Sequence, residues 1–259
     1  MSRSTSPALT TSHDPFLVMD ISNSYAKYAI VKRGKLGTLH RLPTRNVTTT
    51  FLRELKCLYP KHKLVLGSVV PKRTKLAQKV YGKDLGNVHG TANIGVPITY
   101  MKRAQIGADR LANAAAGRQL FGWPVVVVDF GTAVTFDVVD HHGAYCGGVI
   151  APGLNAMTDY LHERTALLPR VQVKEPRRAI GRNTVEAMQI GAVIGYRGLV
   201  REILLAIKRE MGVLGRMRVV ATGGQAEIIA KGMPEIVSVN PLLTLEGLRI
   251  IGLSGFLQE

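Results

Sequence analysis

The chain has 259 residues, of which 46% are hydrophobic, enough for one large domain or for two of about 130 residues, each with a sizeable core. No apolar run approaches the ~20 residues needed to span a bilayer, so we expect no membrane-spanning segment. The two cysteines, Cys57 and Cys146, lack metal-ligand spacing and indicate reduced thiols in a cytoplasmic protein.

Lysine and arginine outnumber aspartate and glutamate by 34 to 18, which gives a net charge of +16. One interpretation is a nucleic-acid surface. The basic residues, however, occur in short separate groups such as Lys72, Arg73 and Lys75, and neither an RNA-binding sheet motif nor a helix-turn-helix pattern is present. We therefore expect no specific nucleic-acid partner, although the basic background would attract anionic small molecules such as nucleotides.

The N-terminal segment predicts a tail followed by a strand–turn–strand unit. Residues 1–15 are predicted to be disordered, because they are rich in Ser and Thr and have no apolar core like that of a signal peptide. A strand over Phe16–Asp20 is followed by the polar turn Ile21–Ser24 and a second strand over Tyr25–Val31.

Helices and strands alternate through the next ninety residues. A buried strand before Pro71 and a helix opened by Gly107 are the clearest of these elements. The predicted elements are a helix over 48–58, a strand over 63–71, a helix over 72–81, an extended piece over 96–100 and a helix over 108–120.

A valine-rich hairpin follows, with two strands over 125–139. Asp129 stands where the apolar strand ends and the turn at Gly131 begins, next to the hydroxyls of Thr132 and Thr135. A carboxylate, hydroxyls and backbone N–H groups are suited to hold a phosphate chain and its cation. The alternative is an ordinary polar hairpin turn.

This hairpin repeats the arrangement at Asp20: a strand, an aspartate, a small polar turn and a second strand. The repetition predicts a duplicated α/β protein in which each half presents a loop to a shared cleft. We place the N-terminal domain at 16–118 and the C-terminal domain at 119–259.

The second half continues with a strand over 144–150, after a turn whose adjacent histidines we interpret as exposed rather than as ligands. Helices are predicted over 154–164, 183–209, 225–231 and 244–257, with a strand over 217–221. The long helix has an apolar stripe of Ala187, Ile190, Gly191, Ile194, Leu199, Ile203, Leu204 and Ile207. Gly191 and Gly195 in this stripe suggest close helix contact or a kink. Thr222-Gly223-Gly224 joins a strand to a helix, as in a loop that receives a nucleoside.

Asp109 and Arg110 lie in the first turn of a predicted helix. A favourable interaction with the helix dipole explains Asp109 but not Arg110, which the dipole disfavours. A positive side chain at this end suggests an anion to bind, and the neighbouring carboxylate could accept a proton from a hydroxyl that attacks phosphorus.

Taken together, the motifs resemble those of the type III pantothenate kinases, from about Phe16 to Leu257. The ordered set is more specific than any one of its members. It comprises Asp20-Ile21-Ser22-Asn23-Ser24, Gly67-Ser68-Val69-Val70-Pro71, Tyr100, Gly107-Ala108-Asp109-Arg110, Asp129-Phe130-Gly131-Thr132, Gly147-Gly148-Val149-Ile150-Ala151-Pro152-Gly153, Gly181-Arg182-Asn183-Thr184, Thr222-Gly223-Gly224 and Leu243-Thr244-Leu245-Glu246-Gly247-Leu248.

The resemblance implies a fold and an activity. The fold would be two actin-like (ribonuclease H-like) domains, each a mixed β-sheet flanked by helices, with a cleft between them. The activity would be ATP-dependent phosphorylation of pantothenate to 4'-phosphopantothenate, the first step of coenzyme A biosynthesis. It also implies a homodimer, Mg²⁺ or another divalent cation, and a monovalent cation, K⁺ or NH4⁺.

The resemblance also implies residue roles. Asp109 would be the general base, and Asp129 would bind the monovalent cation. The ATP phosphates would be held by Asp20, Ile21, Ser22, Asn23, Ser24, Tyr25, Ala26 and Lys27, with Asp20 also helping to hold the divalent cation, and ATP would further touch Thr132, Thr222, Gly223 and Gly224. Pantothenate would contact Tyr100, Gly107, Ala108, Asp109, Arg110 and Thr184, with Arg110 paired to its carboxylate.

One position departs from the family pattern. Ser22 stands where a glycine is usual, and a positive φ there would cost roughly 1 kcal/mol and could displace the loop. Two alternatives therefore stay open: a weak or inactive homologue that acts as a regulatory or nucleic-acid-associated protein, and a phosphatase or kinase of the same fold that acts on another hydroxylated acid.

Overall fold

The computed structural model describes residues 14–213 and 217–257. Nearly all of the predicted disordered tail, residues 1–15, lies outside the described residues. Within the described part of the chain, none of the helices combines the length and apolar character that crossing a membrane requires.

The first half of the chain forms a mixed sheet around its first strand. The strands are β1 (Phe16–Ile21), β2 (Tyr25–Lys32), β3 (Lys35–Leu36), β4 (His40–Pro43), β5 (Leu64–Ser68) and β6 (Leu85–Asn87). Their order is β3-β2-β1-β5-β6, and β4 also pairs with β2. β1 runs antiparallel to β2 and parallel to β5.

The second half repeats this pattern. Its strands are β7 (Val125–Phe130), β8 (Ala133–Val139), β9 (Tyr145–Pro152), β10 (Arg218–Thr222) and β11 (Ser238–Val239), in the order β11-β10-β7-β8-β9. The central strand β7 runs antiparallel to β8 and parallel to β10. The two sheets therefore place equivalent strands around equivalent centres, which confirms the duplication predicted from the sequence.

The short strands β3, β4, β6 and β11 were not predicted. Each has between two and four residues. Such strands form through backbone pairing with a neighbour and are too short to carry a readable hydrophobic alternation.

The helices lie close to their predicted positions. They are α1 (Thr49–Leu58), α2 (Pro71–Tyr81), α3 (Ala108–Phe121), α4 (Leu154–Arg164), α5 (Thr184–Glu210), α6 (Ala226–Ala230) and α7 (Leu243–Ile251). Pro71 opens α2, where its missing N–H costs nothing. Thr48 and Asn183 cap α1 and α5 by accepting backbone N–H groups of the first turn. α7 is shorter than predicted, because the chain passes into a π-helical turn, Gly252–Phe256, in which Gly255 has φ +92°.

Helices α3 and α7 lie between the two sheets and pack against each other. α3 packs against β7 and β8, whereas α7, from the other end of the chain, packs against β1, β2 and β5. The two helices approach closely because Gly247 of α7 has no side chain, and a Cβ there would collide with the backbone carbonyl of Ala112. The predicted boundary after residue 118 thus falls inside α3, and α7 returns to the first sheet.

The long helix α5 buries the C-terminal part of the predicted stripe but not its N-terminal part. Leu204 is buried, and Leu199, Ile203 and Ile207 pack against the core of the second sheet. Met188, Ala192, Tyr196 and Val200 are buried, while Ala187, Gly191 and Gly195 are exposed and Ile194 is 44% exposed. A Cβ added at Gly191 or Gly195 would meet no atom within 4 Å, so these glycines make no close helix contact within the described residues. One side of α5 packs on the core of the second sheet, so the opposite, partly apolar face of the helix points outward.

Candidate active site

The two predicted aspartates occupy equivalent positions at the carboxyl ends of the central strands. Asp20 on β1 lies opposite Lys27 on β2 and beside Gly67 on β5. Asp129 on β7 lies opposite Thr135 on β8 and beside Thr222 on β10. In open α/β sheets, ligands bind beyond this end of the strands.

The first loop is tied down by hydroxyl groups. Both the backbone N–H and the hydroxyl of Ser22 donate to the carbonyl of Tyr25, the latter at 2.9 Å. Thr44, which is buried, donates its hydroxyl to the carbonyl of Ser22 at 2.6 Å and its N–H to that of Ser24. Ser22 does not have a positive φ, since Arg33 is the one non-glycine residue of the described chain that does. The strain considered for Ser22 is therefore absent.

Not every predicted loop residue can present its side chain to a ligand. Ile21 and Ala26 are buried in the core of the first sheet, so only their backbone groups face outward. Asn23 and Ser24 are exposed, Lys27 is half-buried, and Tyr25 is exposed beneath the guanidinium of Arg41.

The second loop is held by close backbone packing. Gly223, with φ +93°, lies so near Asp129 that a Cβ would stand 2.5 Å from its Oδ1. Gly153 packs on the carbonyls of Gly131 and Thr132, which leaves no room for a Cβ. Thr132 is exposed, as is Gly224, whereas Thr222 is buried.

Asp109 lies in the first turn of α3, close enough to Asp20 and Asp129 for its charge to act on both. Its Oδ1 accepts the N–H of Arg110 at 2.8 Å, and a Cβ at Gly107 would collide with the same oxygen, so glycine is required there for space. Burial raises the pKa of Asp109, while the Arg110 N–H and guanidinium act against the shift. The raised pKa moves this carboxyl toward the range in which a general base works.

The three carboxyls Asp20, Asp109 and Asp129 repel one another. Burial, assisted by the charges of Asp109 and Asp129, raises the pKa of Asp20 to about 7, while Lys27 opposes the shift. Burial and Asp109 likewise raise the pKa of Asp129, against a hydrogen bond from Asn113. Clustered, desolvated carboxylates are a setting that a cation stabilises.

Protein groups alone do not complete a metal site. No set of three or more His, Cys, Asp or Glu side chains is arranged to hold a metal ion in residues 14–213 and 217–257. A cation beside Asp20 or Asp129 would therefore draw further oxygen ligands from phosphate, hydroxyl, carbonyl or water.

Arg110 is buried and paired inside the protein. Its Nε donates to Oδ1 of Asp137 at 2.7 Å, and Asp137 is fully buried. Burial raises the pKa of Asp137 to about 7, against the opposing guanidinium. Asp137 also accepts the Thr135 hydroxyl at 3.2 Å and the Asn113 amide, and these donors favour the ionised carboxylate.

Asn113 connects the cluster. Its Nδ2 lies 3.3 Å from Oδ2 of both Asp129 and Asp137, and its Oδ1 accepts the Thr244 hydroxyl at 3.0 Å. Sequence reasoning missed Asn113 and Asp137. A signal was present, because Asn113 follows Arg110 by three residues on one helix face, and Asp137 shares a strand face with Thr135.

The remaining predicted substrate residues divide into two groups. Tyr100, Gly107 and Ala108 lie near Arg110, with Ala108 buried so that only its backbone is available. A cavity of about 570 Å³ reaches Gly107 and Ala108 from the side of Val69. Thr184 is exposed at the start of α5, on the surface rather than in the buried cluster.

A second cavity, of about 550 Å³, lies beside the Thr222-Gly223-Gly224 loop. It is lined mainly by polar side chains, among them Asn155, Asp159, Arg170, Gln172 and Gln225. Gln225 follows the loop directly and donates to Asn155 at 3.2 Å.

Solved structures show which fold this architecture has. A Campylobacter jejuni protein described as a conserved Baf family transcriptional activator has a TM-score of 0.63 at 21% identity, covering 91% of this chain and 96% of that chain. The activator of the 2-hydroxyisocaproyl-CoA dehydratase from Clostridium difficile, solved with bound ADPNP, has a TM-score of 0.54 at 13% identity, covering 94% of each chain. At such identities these likenesses concern the fold alone, which is the actin-like, sugar-kinase fold that the sequence predicted.

Sequence comparison identifies the family. A model described as type III pantothenate kinase matches residues 16–206. The type III pantothenate kinase of Methylacidiphilum infernorum is 45% identical over 236 residues, covering 91% of this chain and 87% of that protein. That of Akkermansia muciniphila is 47% identical over 236 residues, covering 91% and 97%. The chain belongs to the type III pantothenate kinase family, which confirms the resemblance.

Proposed function

We propose that the chain transfers the γ-phosphoryl group of ATP to the primary hydroxyl of pantothenate, with Asp109 as the general base. One observation carries the proposal. Asp109 lies close enough to Asp20 and Asp129, one on each of two equivalent loops, for the three charges to interact, and it directly precedes the buried Arg110. A base placed among phosphate-binding groups accepts the hydroxyl proton as the nucleophile attacks, and most of the rate enhancement comes from positioning and charge neutralisation.

ATP would lie between the two loops. The backbone of the first loop and Lys27 would hold the phosphates, and Asp20 would share a divalent cation such as Mg²⁺ with them. Asp129 would hold the monovalent cation, K⁺ or NH4⁺, assisted by Thr132. The raised pKa values of Asp20 and Asp129 support these roles, because a bound cation relieves the repulsion between the carboxylates. The nucleoside would extend past Thr222, Gly223 and Gly224.

Pantothenate would bind on the opposite side of Asp109. Arg110 would pair with its carboxylate, since Asp137 occupies Nε and leaves the outer guanidinium nitrogens for a ligand. Tyr100 and the backbone of Gly107 and Ala108 would line the pocket. The cavity of about 570 Å³ is lined by Gly107 and Ala108 but not by Tyr100 or Arg110, so it supports the proposal only at the Gly107 end of the pocket.

A homodimer would use the outward face of α5. Exposed apolar side chains gather on α4, on α5 and on the loop between them, at Met157, Tyr160, Ile180, Val185 and Ile194. Contiguous exposed apolar surface marks interaction sites. Thr184 lies directly before Val185, so a role for it in pantothenate binding places the pocket near this interface. The cytoplasmic location predicted from the two free cysteines stays a prediction.

The activity can be tested with the unmodified chain. We expect phosphopantothenate to form from pantothenate and ATP in the presence of Mg²⁺ and K⁺, identified by mass spectrometry. Absence of product across pH 6–9 and across nucleotides and cations would sink the proposal. A parallel DNA-retention assay at low and high salt tests the nucleic-acid alternative, which the relaxed conformation of Ser22 does not favour.

A further inference from the structure

Two buried polar groups near the proposed substrate site lack hydrogen-bond partners. They are the hydroxyl of Tyr145, on β9, and Nη2 of Arg110, on α3; neither has a partner among the residues that the structure describes. The guanidinium carbon of Arg110 lies 5.8 Å from the centre of the Tyr145 ring, so the two side chains are neighbours. Buried polar groups are normally paired, and two unpaired groups side by side indicate a missing partner.

Two glycines of β9 lie against these groups. Gly148 faces Nη2 of Arg110, and a Cβ there would lie 3.0 Å from it and would collide with the backbone carbonyl of Phe136. Gly147 faces the ring of Tyr100, whose centre is 6.2 Å from that of Tyr145. Tyr100 is only partly buried and so separates these groups from the surface. On its other side Arg110 is already occupied by Asp137.

Tyr145 is a hydrogen-bond donor at neutral pH. Burial and the charge of Asp137 raise the pKa of its hydroxyl, which therefore stays protonated. A protonated phenol and a guanidinium nitrogen can each donate to one oxygen of a carboxylate.

We propose that Tyr145 is a specificity-determining residue whose hydroxyl donates to the same substrate carboxylate that pairs with Arg110. This inference rests on the proposed function, and specifically on the placement of the pantothenate carboxylate at Arg110. An analogue with a hydroxymethyl group in place of the carboxylate offers one acceptor oxygen instead of two and no charge, so at least one donor stays unpaired. A site built around buried donors discriminates strongly against such a ligand.

The test is the variant Tyr145→Phe, assayed with two ligands. Pantothenate is varied as substrate, and pantothenol, in which a hydroxymethyl group replaces the carboxylate, is measured as a competitive inhibitor. We expect kcat/KM for pantothenate to fall about tenfold or more, mainly through KM, because a hydrogen bond to a charged group is lost. The inhibition constant of pantothenol and the KM for ATP should change less than about twofold.

Tyr81→Phe is the matched control. Tyr81 is equally buried, and its hydroxyl also lacks a partner in the described chain, but it lies in the core of the first sheet. We expect this variant to keep wild-type kinetics with both ligands. Neither substitution should lower the thermal unfolding midpoint, since neither removes an intramolecular hydrogen bond.

Three results would overturn the inference. These are an unchanged KM for pantothenate in Tyr145→Phe, equal losses for pantothenate and pantothenol, or a loss of wild-type kinetics with both ligands in the control Tyr81→Phe. A lowered unfolding midpoint together with equal losses would mark Tyr145 as a purely structural tyrosine. Failure of the proposed function looks different, because the wild-type chain would then neither phosphorylate pantothenate nor bind it in a calorimetric titration.

Discussion

The two aspartate loops share a topology but are stabilised by different chemistry. Asp20 sits in a polar loop tied by the hydroxyls of Ser22 and Thr44, and Lys27 is the cation that opposes the rise in its pKa. Asp129 sits in a loop packed against glycine backbone, and the hydrogen bond from Asn113 is the main influence lowering its pKa. The two halves thus hold equivalent carboxylates in different surroundings, which agrees with the proposal that Asp20 shares a divalent cation with the ATP phosphates and that Asp129 holds a monovalent cation.

Among changes within the two loops, the largest effect is expected from crowding the second loop. Gly223→Ala places a Cβ 2.5 Å from Oδ1 of Asp129, at a φ of +93° that alanine disfavours. A displacement of about 1 Å at a catalytic group costs on the order of a hundredfold, so we expect kcat/KM for ATP to fall by about that factor. Steady-state kinetics measure it. Gly212→Ala is the control, since it has φ +65° but open space around its Cβ, and similar kinetic losses there would contradict the collision argument.

Removing the Asn113 side chain should weaken K⁺ binding at Asp129 without weakening ATP binding to the same degree. Asn113→Ala deletes the amide that contacts Asp129 and Asp137, and a lost bond to a buried charged group corresponds to about a tenfold effect. We expect the K⁺ concentration for half-maximal activity to rise about tenfold, with the KM for ATP changing less than about threefold. Potassium titrations of the rate measure this. A larger change in the KM for ATP than in the K⁺ requirement would contradict the assignment of Asp129.

The raised pKa of Asp20, in the first loop, predicts that the free energy of unfolding depends on pH. Asp20 has a pKa of about 7 in the fold, above its unfolded value of 3.8, so the folded state binds the extra proton between these values. Stability of the ligand-free protein therefore falls as pH rises through 7, by about 1 kcal/mol between pH 6 and 8 for this one carboxyl. Denaturant unfolding at both pH values measures the slope. Asp20→Asn should reduce the slope, and the remainder comes from Asp137, whose pKa is also raised to about 7. An unchanged slope would refute this account of Asp20.

The smallest effect is expected at Ser22. Ser22→Gly removes the hydroxyl bond to Tyr25 and gains no relief of strain, since φ is not positive at this residue. We expect a stability loss of roughly 1 kcal/mol and a KM for ATP within about twofold of wild type. An improvement in ATP affinity of tenfold or more would show that the serine impairs the loop.

The sequence predicted the duplicated architecture and the main helices, because strand–Asp–turn–strand units and amphipathic periods are local patterns. It could not predict that α3 packs on the second sheet and α7 on the first. That arrangement depends on the fit of Gly247 against Ala112, which are far apart in the sequence. It also placed Ala187, Gly191 and Ile194 in the apolar stripe of α5, although these three residues are exposed. In the site, motif residues were predicted through family resemblance, whereas the contacts of Asn113, Asp137 and Tyr145 exist only in the folded chain.

The most direct test of the central claim is the rate of phosphoryl transfer in Asp109→Asn, measured by rapid quench at saturating ATP and pantothenate. The amide keeps the shape of the side chain but cannot accept the proton. We predict a rate on the order of a hundred to ten thousand times lower, with the dissociation constant for ATP within about threefold of wild type. A variant that retains more than about a tenth of the wild-type rate would contradict the assignment of Asp109 as the base.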